Sequence, residues 1–214
     1  ILHMHNGTNA YNGRRVKADF LSVHFKGGGG SAPDGTGRRI VDQERTWFAW
    51  LWANAPSLRN VPFYDDEADP VVGWSRPLAW RADARYPAVI AKVINQQLVL
   101  IHDNHSAGNN PLGLISNDNG FLPPPGATGF EYRTLLSRMQ TADGSRFGLV
   151  PKSALNLMAV LSKLGEQRCD VSGADDVYAG QVGMFVTADA ANATTGEPAS
   201  VAALIYYSND TFNT

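Results

Sequence analysis

The sequence has little cysteine, no long apolar run and almost no excess of charge. Cys169 is the single cysteine among 214 residues, so no internal disulfide is available and cysteine usage does not indicate a redox compartment. The 18 basic and 20 acidic residues leave a formal net charge of −2, which gives no electrostatic reason to expect nucleic acid or a membrane surface as a partner. No apolar run approaches the roughly 20 residues that span a bilayer, so we predict no membrane span.

Several functional signatures are missing as well. Residues 1–5 contain neither a leading methionine nor a signal-peptide pattern, and we expect the chain to be the middle of a longer protein. The glycine-rich residues 27–37 lack the order of a phosphate-binding loop, and no G-x-S-x-G nucleophile turn occurs. His3-x-His5 and His102-x-x-His105 have metal-like spacing but lack a helix and a third ligand. We therefore predict neither a metal nor a cofactor.

Apolar periodicity indicates that strands alternate with helices through the first three-quarters of the chain. Leu21, Val23 and Phe25 fall on one face of residues 19–25, which predicts a strand there. The other predicted strands are at 61–64, 98–102 and within 178–187 and 199–208, and helices are predicted at 40–55, 86–97 and 153–164, with a candidate helix at 133–141.

This order predicts an α/β fold with two parts. Residues 1–167 fit about the C-terminal half of a (β/α)8 TIM barrel, because a whole barrel needs about 250 residues. Residues 168–214 lack helical spacing and carry turn residues between β-rich segments. We expect them to be the first strands of an antiparallel β-sandwich.

Charged residues follow three of the predicted strands. In a (β/α)8 barrel the carboxyl ends of the strands form the catalytic face, so these residues are candidates for an active site. Alternation aims His24 and Lys26 into the same mouth after the first strand. After the second strand it places Asp65 and Glu67 on one face and turns Asp66 away. Residues 115–119 supply the third charged site.

Aromatic residues and glycosylation sequons add two further predictions. Trp74 and Trp80 follow Glu67 and are placed to stack on a sugar, whereas the three tryptophans within 40–55 are expected to pack. Four N-x-[ST] sequons are a mild enrichment that favours the secretory pathway. The candidate acceptors are Asn6, Asn104, Asn192 and Asn209.

Four motifs carry a family resemblance. DFLSVHFKG (19–27), the 61–83 segment around DDEADP, LISNDNGFL (114–122) and FEYRTLLSRM (130–139) resemble, in order, the α-L-iduronidases of glycoside hydrolase family 39. The resemblance implies a retaining exo-glycosidase that removes terminal α-L-iduronic acid from dermatan sulfate and heparan sulfate in lysosomes. It implies that Glu67 is the nucleophile. The sugar contacts that it implies are Lys26, Gly73, Trp74, Asp118 and Arg133.

These roles are chemically consistent with one another. Arg133 can bind the uronate carboxylate as a planar fork while Lys26 adds charge. Asp118 can accept hydrogen bonds from ring hydroxyls. Lys26 beside Glu67 is expected to favour the ionised nucleophile.

The chain also departs from the family. Phe25 stands where a basic residue is expected beside the pocket lysine. The family's general acid/base is a Glu preceded by Asn, and no Asn-Glu pair occurs in this sequence. The only other Glu before Glu67 is Glu44, which lies inside a predicted helix. The acid/base is therefore expected to lie outside this chain.

Two alternatives stay open from the sequence. Another exo-glycosidase of the same family, such as a β-xylosidase, would share the barrel but would need no cation for a carboxylate. A truncated, non-catalytic fragment is the other alternative, because half a barrel leaves open sheet edges. The oligomeric state is not predicted.

Overall fold

The computed structural model describes residues 5–27, 37–70, 78–106, 112–114, 116–117, 119–120, 132–171, 181–191, 194–198 and 200–208. Within them the helices are α1 (Gly37–Asn54), α2 (Arg85–Ser106) and α3 (Ser153–Leu161). The strands are β1 (Leu21–Val23), β2 (Phe63–Asp65), β3 (Leu112–Leu114), β4 (Leu136–Gln140), β5 (Phe147–Pro151), β6 (Gln167–Cys169), β7 (Val182–Ala188) and β8 (Val201–Tyr207). Single 3-10 turns occupy Pro56–Leu58 and Ala79–Ala82.

The first three strands form a parallel sheet in the order β1-β2-β3. Leu21, Phe63 and Leu112 are partners across it, so the three strands begin and end together. Helix α1 follows β1 and helix α2 follows β2, which is the right arrangement for parallel neighbours. Buried apolar residues recur at helical spacing along one face of α1 and one face of α2, and these two faces cover the sheet. The buried core there comprises Leu21, Phe25, Ile40, Val41, Phe48, Leu51, Ala55, Leu58, Phe63, Ala68, Val93, Leu100 and Leu112.

Two predicted elements are wrong. Residues 98–102 are not a strand but belong to α2, which runs without a break from Arg85 to Ser106. A short apolar run cannot be told from a buried helix segment by its period, and no turn residue separates 98–102 from the preceding helix. The same helix contains His102 and His105, which the sequence had placed outside any helix. Residues 133–141 are not helical either, because β4 occupies Leu136–Gln140 and pairs antiparallel with β5.

The last sheet is antiparallel, in the order β6-β7-β8, and it confirms the β-rich prediction for the C-terminal segment. Its inner face packs on α2 and α3, where Phe185 and Tyr206 join Ile90 in a second core. Asn95 on α2 donates from Nδ2 to the hydroxyl of Tyr206 at 3.0 Å and to the carbonyl of Met184 at 3.2 Å. Helix α2 therefore contacts both the parallel and the antiparallel sheet.

None of the described helices is long and apolar enough to cross a bilayer.

Candidate active site

The carboxyl ends of β1, β2 and β3 lie side by side, and backbone hydrogen bonds join the segments that leave them. The N–H of Gly27 donates to the carbonyl of Asp69 at 2.8 Å, which ties the exit of β1 to that of β2. The N–H of Ala68 donates to the carbonyl of Ser116 at 2.8 Å, which ties the exit of β2 to that of β3. Asn117 Nδ2 adds a hydrogen bond to the Ala68 carbonyl at 3.2 Å. Hydrogen bonds thus link the residues after the three strands to one another.

Gly27 is required by this close approach. A Cβ on Gly27 would lie 1.6 Å from the carbonyl oxygen of Pro70, a backbone atom that cannot move aside without moving the exit of β2. The absence of a side chain lets the two segments touch.

Glu67 is the carboxylate that the exits of β1 and β2 place at the mouth of the sheet. Its Oε2 lies 2.6 Å from Lys26 Nζ and 3.2 Å from His24 Nδ1. The Lys26 side chain is 12% exposed and the Glu67 side chain 33% exposed, so the pair is partly shielded but open to a ligand. As alternation along β1 predicted, His24 and Lys26 reach the same place.

Asp66 also faces His24, which corrects the sequence prediction that Asp66 points away. His24 Nε2 lies 3.3 Å from Asp66 Oδ1, so the imidazole bridges the carboxylates of Asp66 and Glu67. Ser22 Oγ donates to Asp66 Oδ2 at 2.6 Å. The prediction failed because β2 ends at Asp65, and strict alternation of side chains does not continue past the last strand residue.

Asp65 is fully buried beneath this cluster rather than open to the mouth beside Glu67. Its Oδ1 accepts the backbone N–H groups of Phe25 and Glu67, each at 3.2 Å. Burial raises the pKa of Asp65 to about 7, and these two hydrogen bonds only partly oppose that shift. Asp65 thus braces the exits of both β1 and β2 from below.

Glu44 on α1 is a second fully buried carboxyl group behind the site. Gln97 Nε2 on α2 donates to Oε1 at 2.9 Å and to Oε2 at 3.0 Å. Burial raises the pKa of Glu44 to about 8 against the effect of the Gln97 hydrogen bonds, and the Asp65 charge adds to the rise. Sequence reasoning assigned Glu44 no role.

Arg133 is buried in an ion cluster. Its Nη1 lies 2.8 Å from Asp69 Oδ2, and Arg81 Nη2 approaches the same oxygen at 3.4 Å. The Asp69 and Arg81 side chains are fully buried, and that of Arg133 is 4% exposed. Two guanidinium groups therefore share one carboxylate, and no local pattern in the sequence pointed to Asp69 or Arg81 as partners.

Of the remaining residues predicted to contact the sugar, three lie outside the described ranges and Trp80 lies within them. Gly73, Trp74 and Asp118 lie outside the described residues. Trp80 is only 3% exposed and packs edge-on against Tyr86, so the prediction that it stacks on a sugar is wrong. Trp80 lies in the 3-10 turn Ala79–Ala82, and its ring is buried among the apolar side chains of the second core.

The sequons also differ in their surroundings. Asn6 is exposed, whereas Asn104 is buried within α2. Asn192 and Asn209 lie outside the described residues. No group of three or more His, Cys, Asp or Glu side chains within the described ranges is placed to hold a metal ion.

The charged side chains thus gather at the carboxyl ends of parallel strands, which is where ligands bind in α/β folds. The model of glycosyl hydrolases family 39 matches residues 2–214. The chain therefore belongs to glycosyl hydrolase family 39.

Similar proteins are found among curated sequences and solved structures. The α-L-iduronidase of Homo sapiens is 36% identical over 98% of this chain, that of Mus musculus 37% over 98%, and that of Canis lupus familiaris 39% over 76%. The chain spans only 24–33% of the length of these relatives. A solved structure of a bacterial orthologue of human α-L-iduronidase matches 99% of this chain and 34% of its own, with a TM-score of 0.74 and 24% identity. The structural match supports the fold.

Proposed function

We propose that this chain carries the nucleophile of a retaining exo-glycosidase that removes terminal α-L-iduronic acid from dermatan sulfate and heparan sulfate. The observation that carries the proposal is the contact between Glu67 and Lys26 at 2.6 Å at the carboxyl edge of the parallel sheet. An ammonium group at this distance orients a carboxylate through a charge-assisted hydrogen bond, as a nucleophile requires. Family membership and relatives at 36–37% identity support the substrate class.

In the proposed reaction, Glu67 attacks the anomeric carbon of the iduronide. A bond forms between a Glu67 oxygen and that carbon, while the bond to the leaving oxygen breaks and that oxygen takes a proton from a general acid. Water, deprotonated by the same group, then attacks the anomeric carbon and releases Glu67. No Asn-Glu pair occurs in the 214 residues. We propose that polypeptide outside this chain supplies the acid/base.

The substrate contacts are proposed around this nucleophile. Lys26 and His24 both reach Glu67 and would face the bound sugar from the β1 side. Gly73, Trp74, Asp118 and Arg133 complete the proposed set. Arg133 is proposed to serve the uronate carboxylate, and its 2.8 Å contact with Asp69 fixes the orientation of Nη1.

We also propose the finer architecture and the setting. Residues 1–167 form about the C-terminal half of a (β/α)8 barrel, and residues 168–214 begin a β-sandwich. The parallel order β1-β2-β3 with intervening helices and the antiparallel β6-β7-β8 sheet support this division. A lysosomal or secretory location is proposed from the relatives and the sequons, of which Asn6 is exposed.

The test of the nucleophile is Glu67→Gln in the full-length protein that contains this chain. We expect turnover of an aryl α-L-iduronide to fall by several orders of magnitude, because the amide cannot form the glycosyl-enzyme bond. Glu166→Gln is the matched control, because Glu166 is exposed and the same charge is lost. Near-normal turnover of Glu67→Gln would refute the assignment.

A second assay separates the iduronidase from a β-xylosidase of the same family. Rates on an aryl iduronide and on its carboxyl-reduced analogue are compared in wild type and in Lys26→Met. We expect wild type to prefer the uronide and Lys26→Met to lose most of that preference, because the cation facing the carboxylate is gone. Equal rates on both sugars in wild type would favour the xylosidase.

A further inference from the structure

Two buried carboxyl groups, those of Glu44 and Asp65, lie directly behind the candidate nucleophile. Glu44 comes from the middle of α1, and Asp65 is the last residue of β2. Both side chains have no exposed surface. Neither takes part in the proposed displacement, so the cost of burying two acids beside each other calls for another explanation.

Three of the four oxygens of the pair have identified N–H donors. Asp65 Oδ1 accepts from the backbone N–H groups of Glu67 and Phe25 at 3.2 Å each. Gln97 Nε2 donates to both oxygens of Glu44, at 2.9 and 3.0 Å. Asp65 Oδ2 is buried and receives no donor from the described residues, and the Asp65 carboxylate is near enough to Glu44 to add to the rise in the Glu44 pKa.

A proton shared by the two acids would supply the missing donor. Ionising two neighbouring carboxyl groups in a buried site is strongly disfavoured, because their repulsion is not screened by water. The charged groups around Glu44 and Asp65 do not cancel the repulsion between the two carboxylates. His24 after β1 and Arg45 on α1 favour ionisation, Asp66 after β2 opposes it, and the neutral amide of Gln97 on α2 donates to Glu44. Burial raises the pKa of both acids, in agreement with one retained proton.

We propose that Glu44 and Asp65 hold one proton between them and that this pair positions Glu67, which makes Asp65 a positioning residue for the nucleophile. This inference rests on the assignment of Glu67 proposed above. With the proton in place, Asp65 is held by Glu44 and in turn holds the backbone N–H groups on either side of the site. When the proton leaves, two like charges repel in the core and the hold on Glu67 loosens.

The kinetic test uses the full-length protein and an aryl iduronide whose leaving group needs no protonation, so that the general acid does not shape the profile. The burst of phenol release is followed against pH in wild type, Asp65→Leu, Asp65→Asn and Glu44→Gln. We expect Asp65→Leu to lose about 10²-fold at every pH, because a displaced nucleophile costs about that much. Asp65→Asn restores most of the rate, because its Oδ1 still accepts both N–H groups and its amide donates to Glu44.

The pH profile separates positioning from a merely structural role. The wild-type rate is expected to fall at alkaline pH, and this limb is expected to move to higher pH in Asp65→Asn and Glu44→Gln, where an amide N–H replaces the titrating proton. Asp42→Asn is the matched control, because Asp42 is an exposed acid on the same helix, and its profile should follow wild type. Identical alkaline limbs in all these variants would overturn the proposal.

An activity-independent measurement keeps this inference distinct from the proposed function. The infrared band of a protonated carboxylic acid is expected in wild type near neutral pH and is expected to be lost in Glu44→Gln and in Asp65→Asn. No difference in that band would refute the shared proton even if Glu67→Gln is inactive. If Glu67→Gln is fully active but the band behaves as expected, the pair is real and only its link to catalysis fails.

Discussion

The two ends of the molecule use β-structure in opposite ways. The parallel strands β1, β2 and β3 have three residues each and are covered by helices. The antiparallel strands β7 and β8 have seven residues each, and one face of β8 is open, with Ile205 67% exposed. The short strands leave charged side chains just beyond their ends, held by hydrogen bonds between loops. The long strands β7 and β8 pair with each other over seven residues, and no comparable charged cluster is described at their ends.

The comparison teaches where function can be placed in such a fold. In the parallel part, the chain stops pairing as a sheet at Val23 and Asp65, and the following residues must find side-chain partners. Asp65 accepts the N–H groups of Phe25 and Glu67, and Asn117 donates to the carbonyl of Ala68, so the two strand exits are held where Glu67 and Lys26 meet. In the antiparallel part, β7 and β8 pair through their backbones over seven residues each, so this pairing does not depend on side-chain partners. The site therefore depends on buried polar groups, and the C-terminal sheet depends on apolar packing.

Removing the buried ion cluster should have the largest effect on the parallel part. Asp69→Leu leaves Arg81 and Arg133 buried without their shared carboxylate, and we expect a loss of about 3–5 kcal/mol in the free energy of unfolding. Denaturant unfolding of the full-length protein measures it. Asp83→Leu is the control, because Asp83 is exposed and pairs with Arg85 at the surface. Equal losses in the two variants would show that burial of the cluster does not matter.

Adding one methyl group at the closest loop contact should have the next largest effect. Gly27→Ala drives a Cβ into the Pro70 carbonyl, and overpacking of this kind costs about 1–3 kcal/mol. The thermal midpoint and the turnover of the iduronide should both fall, since the exits of β1 and β2 are forced apart. Gly148→Ala in β5 is the matched control, because nothing lies within 4 Å of its added Cβ. A stable and fully active Gly27→Ala variant would contradict the described contact.

The buried acids should make stability depend on pH, by at most about 1.4 kcal/mol per pH unit for one proton. Glu44 has an ordinary pKa of 4.5 and a pKa of about 8 in the folded protein, so between these values the folded state binds more protons than the unfolded state. Stability should therefore fall as pH rises through this window. Unfolding free energies measured from pH 5 to 8 should show a shallower fall in Glu44→Gln. The same slope in both proteins would count against a raised pKa.

The smallest effect concerns the open face of the antiparallel sheet. If residues 168–214 begin a β-sandwich, further strands cover Ile205 in the full-length protein, and Ile205→Val should cost about 0.5–1.5 kcal/mol as in other cores. Tyr11→Phe is the control, because Tyr11 is 99% exposed. Thermal unfolding would show no difference between the two variants if that face stays open.

Local patterns in the sequence predicted part of this molecule well. Alternation after β1 placed His24 and Lys26 on the same side, and both reach Glu67. It failed one residue past the end of β2, where Asp66 turns back to His24. A different pattern failed inside α2: the continuous apolar run at 98–102 predicted a strand, but such a run has no period that separates strand from helix.

The support beneath the site could not be predicted because its partners are distant in the chain. Asp65, Glu44 and Gln97 come from three different elements, and Gln97 is 53 residues from Glu44. Arg133 is 64 residues from Asp69. A single sequence contains no local signal for such contacts, and only the packing of α1 and α2 on the sheet brings them together.

Helix α2 packs in both apolar cores, and this has a consequence for folding during synthesis on the ribosome. Val93 and Leu100 on this helix pack in the first core, whereas Tyr86 and Ile90 pack in the second core against Phe185 of β7. During synthesis the parallel strands and α2 leave the ribosome before β7 and β8 exist. The side of α2 that packs on β7 then stays uncovered until the antiparallel sheet has been translated, and in that interval its exposed apolar surface makes the nascent chain prone to aggregation.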